Sequence, residues 1–286
     1  MSRKPPNHPE RSGQAGDPPR WALAWGGQPS TVSHPWGVRD GGPQQAASGR
    51  PLSIRKVPLQ NPKEVAGRRA AEFVTDGMTV GLGTGSTVYF TLVQLAERIQ
   101  SESLAIRGVP TSVDTERKAR ELEIPLVELA DIGSIDLTID GADEIDPDFN
   151  LMKGGGGALL REKVVAYISE REVIVVGRAK LVERLGTTFL LPVEVVPFAR
   201  PVVARELTRL GATPNLRVTD PGAPYMTDNG NEILDCRFEG GIEDPAALEI
   251  ALGRIPGVVE TGLFVGLAHV VVIGNDDGSC EVRARP

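Results

Sequence analysis

A chain of 286 residues, 40% hydrophobic and 24% charged, has the make-up of a globular protein with one or two domains and a sizeable core. Its formal net charge of −7 opposes a nucleic-acid binder, and no apolar run approaches the roughly 20 residues needed to cross a bilayer. Two cysteines and three histidines argue against a disulfide framework, a histidine-based metal site or a Ser-His-Asp triad.

Residues 1–60 are rich in Pro, Gly, Ser and Gln and show no helical or alternating apolar period. Eight basic and three acidic residues give them +5, which leaves −12 for residues 61–286. Such a stretch buries too little apolar surface to offset its ordering entropy, so it is expected to be a disordered N-terminal extension or a mis-assigned start. The continuous apolar stretch of a secretory signal is missing from it.

From Asn61 the pattern becomes regular. Asn61 before Pro62, with Glu64 close behind, reads as the cap of a helix that stops near Gly77. Residues 78–82 read as a short strand, and GTGST turns the chain into a helix over 88–99. A second strand is expected over 104–107, a helix over 115–122, and a further strand in IPLVEL at 124–129. Residues 135–139 form a strand that leads into DGADEID; a helix over 158–169 and a β-branched strand over 172–176 follow. This alternation predicts an α/β fold, a mostly parallel Rossmann-like sheet with helices on both faces.

After residue 191 the pattern changes. A helix over 201–211 ends on a glycine, Asp-Asn-Gly within 227–238 signals a hairpin, Asp244 caps a helix over 245–254, and 258–265 reads as a strand. These elements predict a smaller α+β domain over 191–265. The apolar run 269–273 is expected to rejoin the first sheet, so that 61–190 plus 266–286 form the catalytic domain.

Four stretches carry chemistry. In GLGTGST, a strand enters and a helix leaves, so backbone N–H groups and the hydroxyls of Thr84, Ser86 and Thr87 face an anion, with Gly85 among them. Neither the ATP-binding loop nor the dinucleotide fingerprint has this spacing. DGADEID puts Asp140 and Asp143, around Gly141 and Ala142, beyond the carboxyl end of a strand, where ligands of open α/β sheets lie. Paired carboxylates there push each other's proton affinity up. KGGGG sets Lys153 before Gly154, Gly155 and Gly156, a cation beside freely shaped backbone that suits a developing oxyanion. Glu162 lies between Arg161 and Lys163, whose charges are expected to hold it ionised as a general base. Lys180, in GRAK after a strand, suits a phosphate or sugar contact.

In this order and spacing the four stretches resemble type A ribose-5-phosphate isomerases, over about residues 61–280. LPVEVVPFARPVVARELTRLG, TDNGNEILD and IPGVVETGLF are also similar to that family's second domain. The resemblance implies a cofactor-independent, metal-free aldose–ketose isomerase that interconverts D-ribose 5-phosphate and D-ribulose 5-phosphate through an enediolate. It implies a cytoplasmic homodimer or homotetramer whose partner is a small sugar phosphate, with no nucleic acid and no membrane. Carried over by motif, residues 84–87, 140–143, 153–156 and Lys180 bind substrate. Glu162 is the proton acceptor, assisted by Asp140, Asp143 and Lys153. Two departures stand out: Gly157 where many members have alanine, which is expected to loosen the loop, and Gly-Arg-Ala before Lys180. A related sugar-phosphate isomerase-deaminase, an acyl-CoA transferase on a similar fold or a sugar-phosphate sensor is the rival expectation; the sensor would also need a DNA-binding helix pair, for which no stretch is evident.

Overall fold

The computed structural model of the chain describes residues 61–219 and 222–285; the extension expected over residues 1–60 lies outside them. Helix α1 (Pro62–Ala71) starts as its sequence dictates, with the Asn61 side chain accepting from the Lys63 N–H at 3.1 Å and proline in the first turn. Next come β1 (Thr79–Leu82), α2 (Val88–Glu102), β2 (Arg107–Pro110), α3 (Val113–Glu121), β3 (Leu137–Asp140), β4 (Glu144–Ile145), β5 (Leu151–Met152), α4 (Leu159–Tyr167) and β6 (Glu172–Gly177). Then follow β7 (Leu191–Val195), α5 (Arg200–Arg209), β8 (Ala212–Leu216), β9 (Glu232–Phe238), α6 (Pro245–Gly253), β10 (Val258–Thr261), β11 (Leu263–Phe264), β12 (Val270–Gly274) and β13 (Cys280–Ala284).

Among the described residues, six strands form one sheet in the order β13-β12-β6-β3-β1-β2. Its members are parallel except β13, which pairs antiparallel to β12 at the edge. Helices cover both faces, as alternate residues of β6 show. Val173 and Val175 pack with Ala66, Ala70, Leu92 and Leu95 from α1 and α2, whereas Ile174 and Val176 pack with Leu159 and Ala166 from α4. That two-sided burial explains the nearly unbroken apolar reading of β6 and β12. Four strands form an antiparallel sheet, β10-β7-β9-β8, and three short ones form β11-β5-β4. No helix among the described residues is long and apolar enough to cross a membrane.

Four local expectations are corrected. The second strand is Arg107–Pro110, not 104–107, because parallel pairing sets Thr79 opposite Arg107 and Gly81 opposite Val109. The Cβ-free Gly108 leaves room for the Leu82 side chain, 2.6 Å from where a Cβ would stand. IPLVEL is no strand: it makes one bridge, Leu126 to Gly108, and Pro125 has no N–H to extend the ladder. The run 258–265 is two strands in two sheets, broken at Gly262, whose N–H donates to Pro192 O and whose carbonyl accepts from the Lys153 N–H at 2.9 Å. The Asn-Gly turn closes between Thr227 and Asn231, but the partners of β9 in its sheet are β7 and β8, not a strand just before the turn. Strands β7, β8 and β13 were not expected from the pattern.

Candidate active site

The carboxyl ends of β1, β3 and β6 open onto a cleft of about 430 Å³. It is lined by residues 84–87, 141–143 and 153–156 together with Glu162 and Lys180, so all four sequence stretches converge. Asp140 is not part of the lining. It lies underneath, at 0% exposure, as the last residue of β3.

The floor is a buried charge cluster. Lys153 Nζ stands 3.0 Å from Asp140 Oδ2 and 3.3 Å from Glu162 Oε1, and it donates to the Gly141 carbonyl. Its backbone is held by Gly262 in the break between β10 and β11, and the Phe264 ring lies 5.4 Å from its ammonium. Burial alone would push the lysine's proton off, but the charges of Asp140, Glu162 and Glu172 outweigh it and hold Lys153 above the ordinary lysine range. Glu162, in the first turn of α4, is also buried, and burial is the main reason its carboxyl is pushed up to about 8. Lys153 opposes that shift, while Asp140 and Asp143 add to it. Glu162 Oε2 is buried and has no partner among the described residues, and Glu162 is one of the residues lining the cleft.

The flanking residues do not act as expected. Arg161 donates to Asn229 Oδ1 and the Asp228 carbonyl, and Lys163 to Glu249 and Glu260. Successive helical residues point about 100° apart, so neither faces Glu162. The cation that Glu162 meets is Lys153, and its proton affinity is raised rather than lowered.

The GTGST turn is fixed by Asp140. Asp140 Oδ1 accepts from the N–H groups of Thr84, at 3.0 Å, and Gly141, at 2.7 Å. A Cβ on Gly83 would stand 2.3 Å from that same oxygen, so this glycine serves the carboxylate rather than an anion. The Thr84 hydroxyl lies within hydrogen-bond distance of the Thr111, Ser112 and Thr115 hydroxyls, and Thr84 also lines the cleft. Ser86 and Thr87 remain at the N-terminus of α2, where no side chain caps the helix. Lys63, missed in the sequence, reaches Ser86 Oγ at 3.0 Å and lines the cleft; its place in the first turn of a helix far from the motifs gave no signal.

Around the glycine loop, the Gly155 N–H donates to Asp143 Oδ2 at 2.8 Å. Gly157 does not loosen it. Its φ is +78° and a Cβ there would stand 2.3 Å from Tyr225 Oη, so glycine is the residue that fits under that ring. Lys180 is 43% exposed, with Nζ 4.0 Å from Asp143 Oδ1, and stands at the rim beside Arg178 and Asp276. Glu172, which opens β6 opposite Thr138, was also missed. It is 1% exposed, and neither carboxylate oxygen has a partner among the described residues. Burial, then the charge of Asp140, drives it well above the ordinary range, against the pull of Lys153. Among the described residues no group of three or more His, Cys, Asp and Glu is arranged to hold a metal ion.

The family model described as ribose 5-phosphate isomerase A (phosphoriboisomerase A) matches residues 107–278. The chain is 50% identical over 223 residues to the ribose-5-phosphate isomerase A of Bacillus mycoides, covering 78% of this chain and 100% of that one. Against its namesake from Gloeobacter violaceus it is 54% identical over 221 residues, covering 77% and 94%. The solved ribose 5-phosphate isomerase A of Methanocaldococcus jannaschii superposes with a TM-score of 0.74 at 40% identity, over 78% of this chain and 98% of that one. A ribose-5-phosphate isomerase solved in complex with phospho-erythronic acid superposes with a TM-score of 0.76 at 38% identity, over the same shares.

Proposed function

The chain belongs to the ribose 5-phosphate isomerase A family, and from that premise we propose that its cleft interconverts D-ribose 5-phosphate and D-ribulose 5-phosphate through an enediolate. The observation that carries the reading is the buried Lys153 between Asp140 and Glu162, with Glu162 Oε2 buried and unpartnered among the described residues.

In this reading the uncapped start of α2, with Ser86, Thr87 and Lys63, takes the phosphate, because its N–H groups and hydroxyls converge with a cation. Glu162 removes the proton from C2 of the open-chain aldose and returns it to C1. A carboxyl near 8 suits both halves of that task at neutral pH. The ammonium of Lys153 and the loop N–H groups stabilise the negative oxygen of the enediolate, and since they are fixed beforehand they cost no reorganisation. Asp143, which has an oxygen towards Lys180 and another on Gly155, moves hydroxyl protons during ring opening. Asp140 holds Lys153 and the Thr84 backbone in place. Lys180 steadies the sugar phosphate from the rim. Residues 191–265 serve as a small α+β domain, and we take the protein to be a cytoplasmic homodimer or homotetramer. Phe198, 94% exposed, and Tyr167, 80% exposed, are large apolar side chains that an assembly could cover.

The test is formation of ribulose 5-phosphate from ribose 5-phosphate by purified protein in the presence of excess chelator. Turnover that resists the chelator supports the reading. A folded protein that binds the sugar phosphate without converting it contradicts it.

A further inference from the structure

The glycine loop that follows Lys153 carries no side chain with which to fix itself. Gly154 and Gly157 have φ of +99° and +78°, and the loop adds little internal bonding beyond a turn from the Gly157 N–H to the Gly154 carbonyl at 3.0 Å. Three successive carbonyls are instead taken by two side chains from the antiparallel-sheet region. Arg217 Nη1 donates to Gly154 O at 2.9 Å and to Gly155 O at 3.3 Å, and Tyr225 Oη donates to Gly156 O at 3.2 Å.

The guanidinium that does this is itself fixed. Its Nε reaches Asp235 Oδ2 at 2.9 Å and its Nη2 the other carboxylate oxygen at 2.5 Å, and the pair is largely buried. Asp235 sits in β9, opposite Asn215 of β8 and Pro192 of β7, so the fork is anchored in the middle of a sheet. The Arg217 guanidinium also lies 5.8 Å from the Tyr225 ring, which in turn covers Gly157.

In a trans peptide the carbonyl and the following N–H point in opposite directions. Drawing the carbonyls of residues 154–156 towards Arg217 and Tyr225 therefore turns the N–H groups of residues 155–157 the other way. Gly155 spends its N–H on Asp143 and Gly157 on the loop turn, whereas the Gly156 N–H has no partner among the described residues, and Gly156 lines the cleft. We propose that Arg217, with Tyr225, is a positioning residue for the isomerisation: it orients the glycine loop so that the Gly156 N–H meets the oxygen of the enediolate. The inference rests on the isomerase reading above.

The experiment compares wild type with Tyr225→Phe, Arg217→Lys and the double variant Arg217→Met/Asp235→Leu, which removes both charges together and leaves none buried alone. For each, kcat, KM, thermal midpoint and inhibition by two probes are measured. Inorganic phosphate probes the cradle at α2; phospho-erythronic acid carries a carboxylate where the enediolate builds charge. The double variant is expected to lose roughly 10- to 100-fold in kcat, as when one oxyanion donor is displaced. Its KM should stay within about threefold, because the loop acts on the transition state. Inhibition by the sugar acid weakens with kcat while inhibition by phosphate does not change. Arg217→Lys, which can donate to a carbonyl but not hold the fork, recovers part of the loss. Tyr225→Phe, which keeps the ring and the fold, loses about three- to tenfold in kcat, the scale of one neutral hydrogen bond. A kcat within about twofold of wild type in the folded double variant, or in Tyr225→Phe if the double variant does not fold, overturns the inference. Parallel weakening of both probes also overturns it, since that reports a generally disordered cleft. In both cases wild type still turns over; absence of turnover in wild type overturns the isomerase reading itself and this inference with it.

Discussion

The two glycine-rich stretches of the cleft are built in opposite ways. GTGST is fixed at one point: Asp140, at the end of the neighbouring strand β3, holds its backbone, and the regular helix α2 continues it, leaving an exposed helix start with Ser86 and Lys63. KGGGG is held at several points instead. It is gripped from outside by Asp143, Arg217 and Tyr225, and its lysine is buried against Asp140 and Glu162. The first arrangement suits holding an anion whose charge does not change during the reaction. The second suits meeting a charge that appears only at the transition state, where donors must already be in place.

Lys153→Met is the strongest way to break the contrast. It should lower kcat by about 10²- to 10³-fold, the scale of a lost oxyanion donor. It should also cost about 3–5 kcal/mol of stability by leaving buried carboxylates unpaired, read by denaturant unfolding. Next comes pH. Glu162 must be ionised to accept a proton, so kcat/KM is expected to rise with pH and level off near 8, falling about tenfold per unit below it. A limb in the ordinary glutamate range would remove burial as the tuning force. On the cradle side, Ser86→Ala should raise KM by about three- to tenfold and leave kcat within about twofold, the mark of uniform binding. If kcat drops and KM does not, the two stretches are not divided as described.

The last effect, on stability rather than turnover, concerns Glu172. Its folded-state proton affinity is raised, so the folded protein binds that proton more tightly than the unfolded chain does. The stability this gives is present at low pH and lost as pH climbs past the ordinary glutamate range. Glu172→Leu should therefore stabilise the protein by about 1–3 kcal/mol at alkaline pH, with the advantage shrinking towards acid. A melting-temperature series against pH reads it.

Much of the site was legible because each motif carries its own local reason. A strand that runs into glycines and then a helix exposes N–H groups whatever the remainder of the chain does, and carboxylates just past a strand end reach the ligand side of a parallel sheet. The caps at Asn61 and Asp244 were readable for the same reason. What escaped depends on distant partners. Gly108 and Pro110 fall outside the strand expected over 104–107 until β1 lies beside them. Arg217 and Tyr225 stand more than sixty residues beyond the loop they hold. Arg161 and Lys163 are neighbours of Glu162 in sequence, but the helix points them elsewhere, and a cation nine residues earlier takes their place. Gly157 looked like slack because nothing in the sequence says that Tyr225 covers it.

The most direct measurement runs the isomerisation of ribose 5-phosphate in D₂O and follows the C1 position of the product by NMR, for wild type and Glu162→Gln. Glu162 takes the C2 proton onto a carboxyl that can exchange with solvent while the enediolate persists, so wild type should place at least some solvent deuterium at C1, and the variant should lose turnover by about 10²- to 10⁴-fold, the range of general acid–base catalysis. Complete retention of protium at C1 together with near-normal turnover in Glu162→Gln would contradict the account.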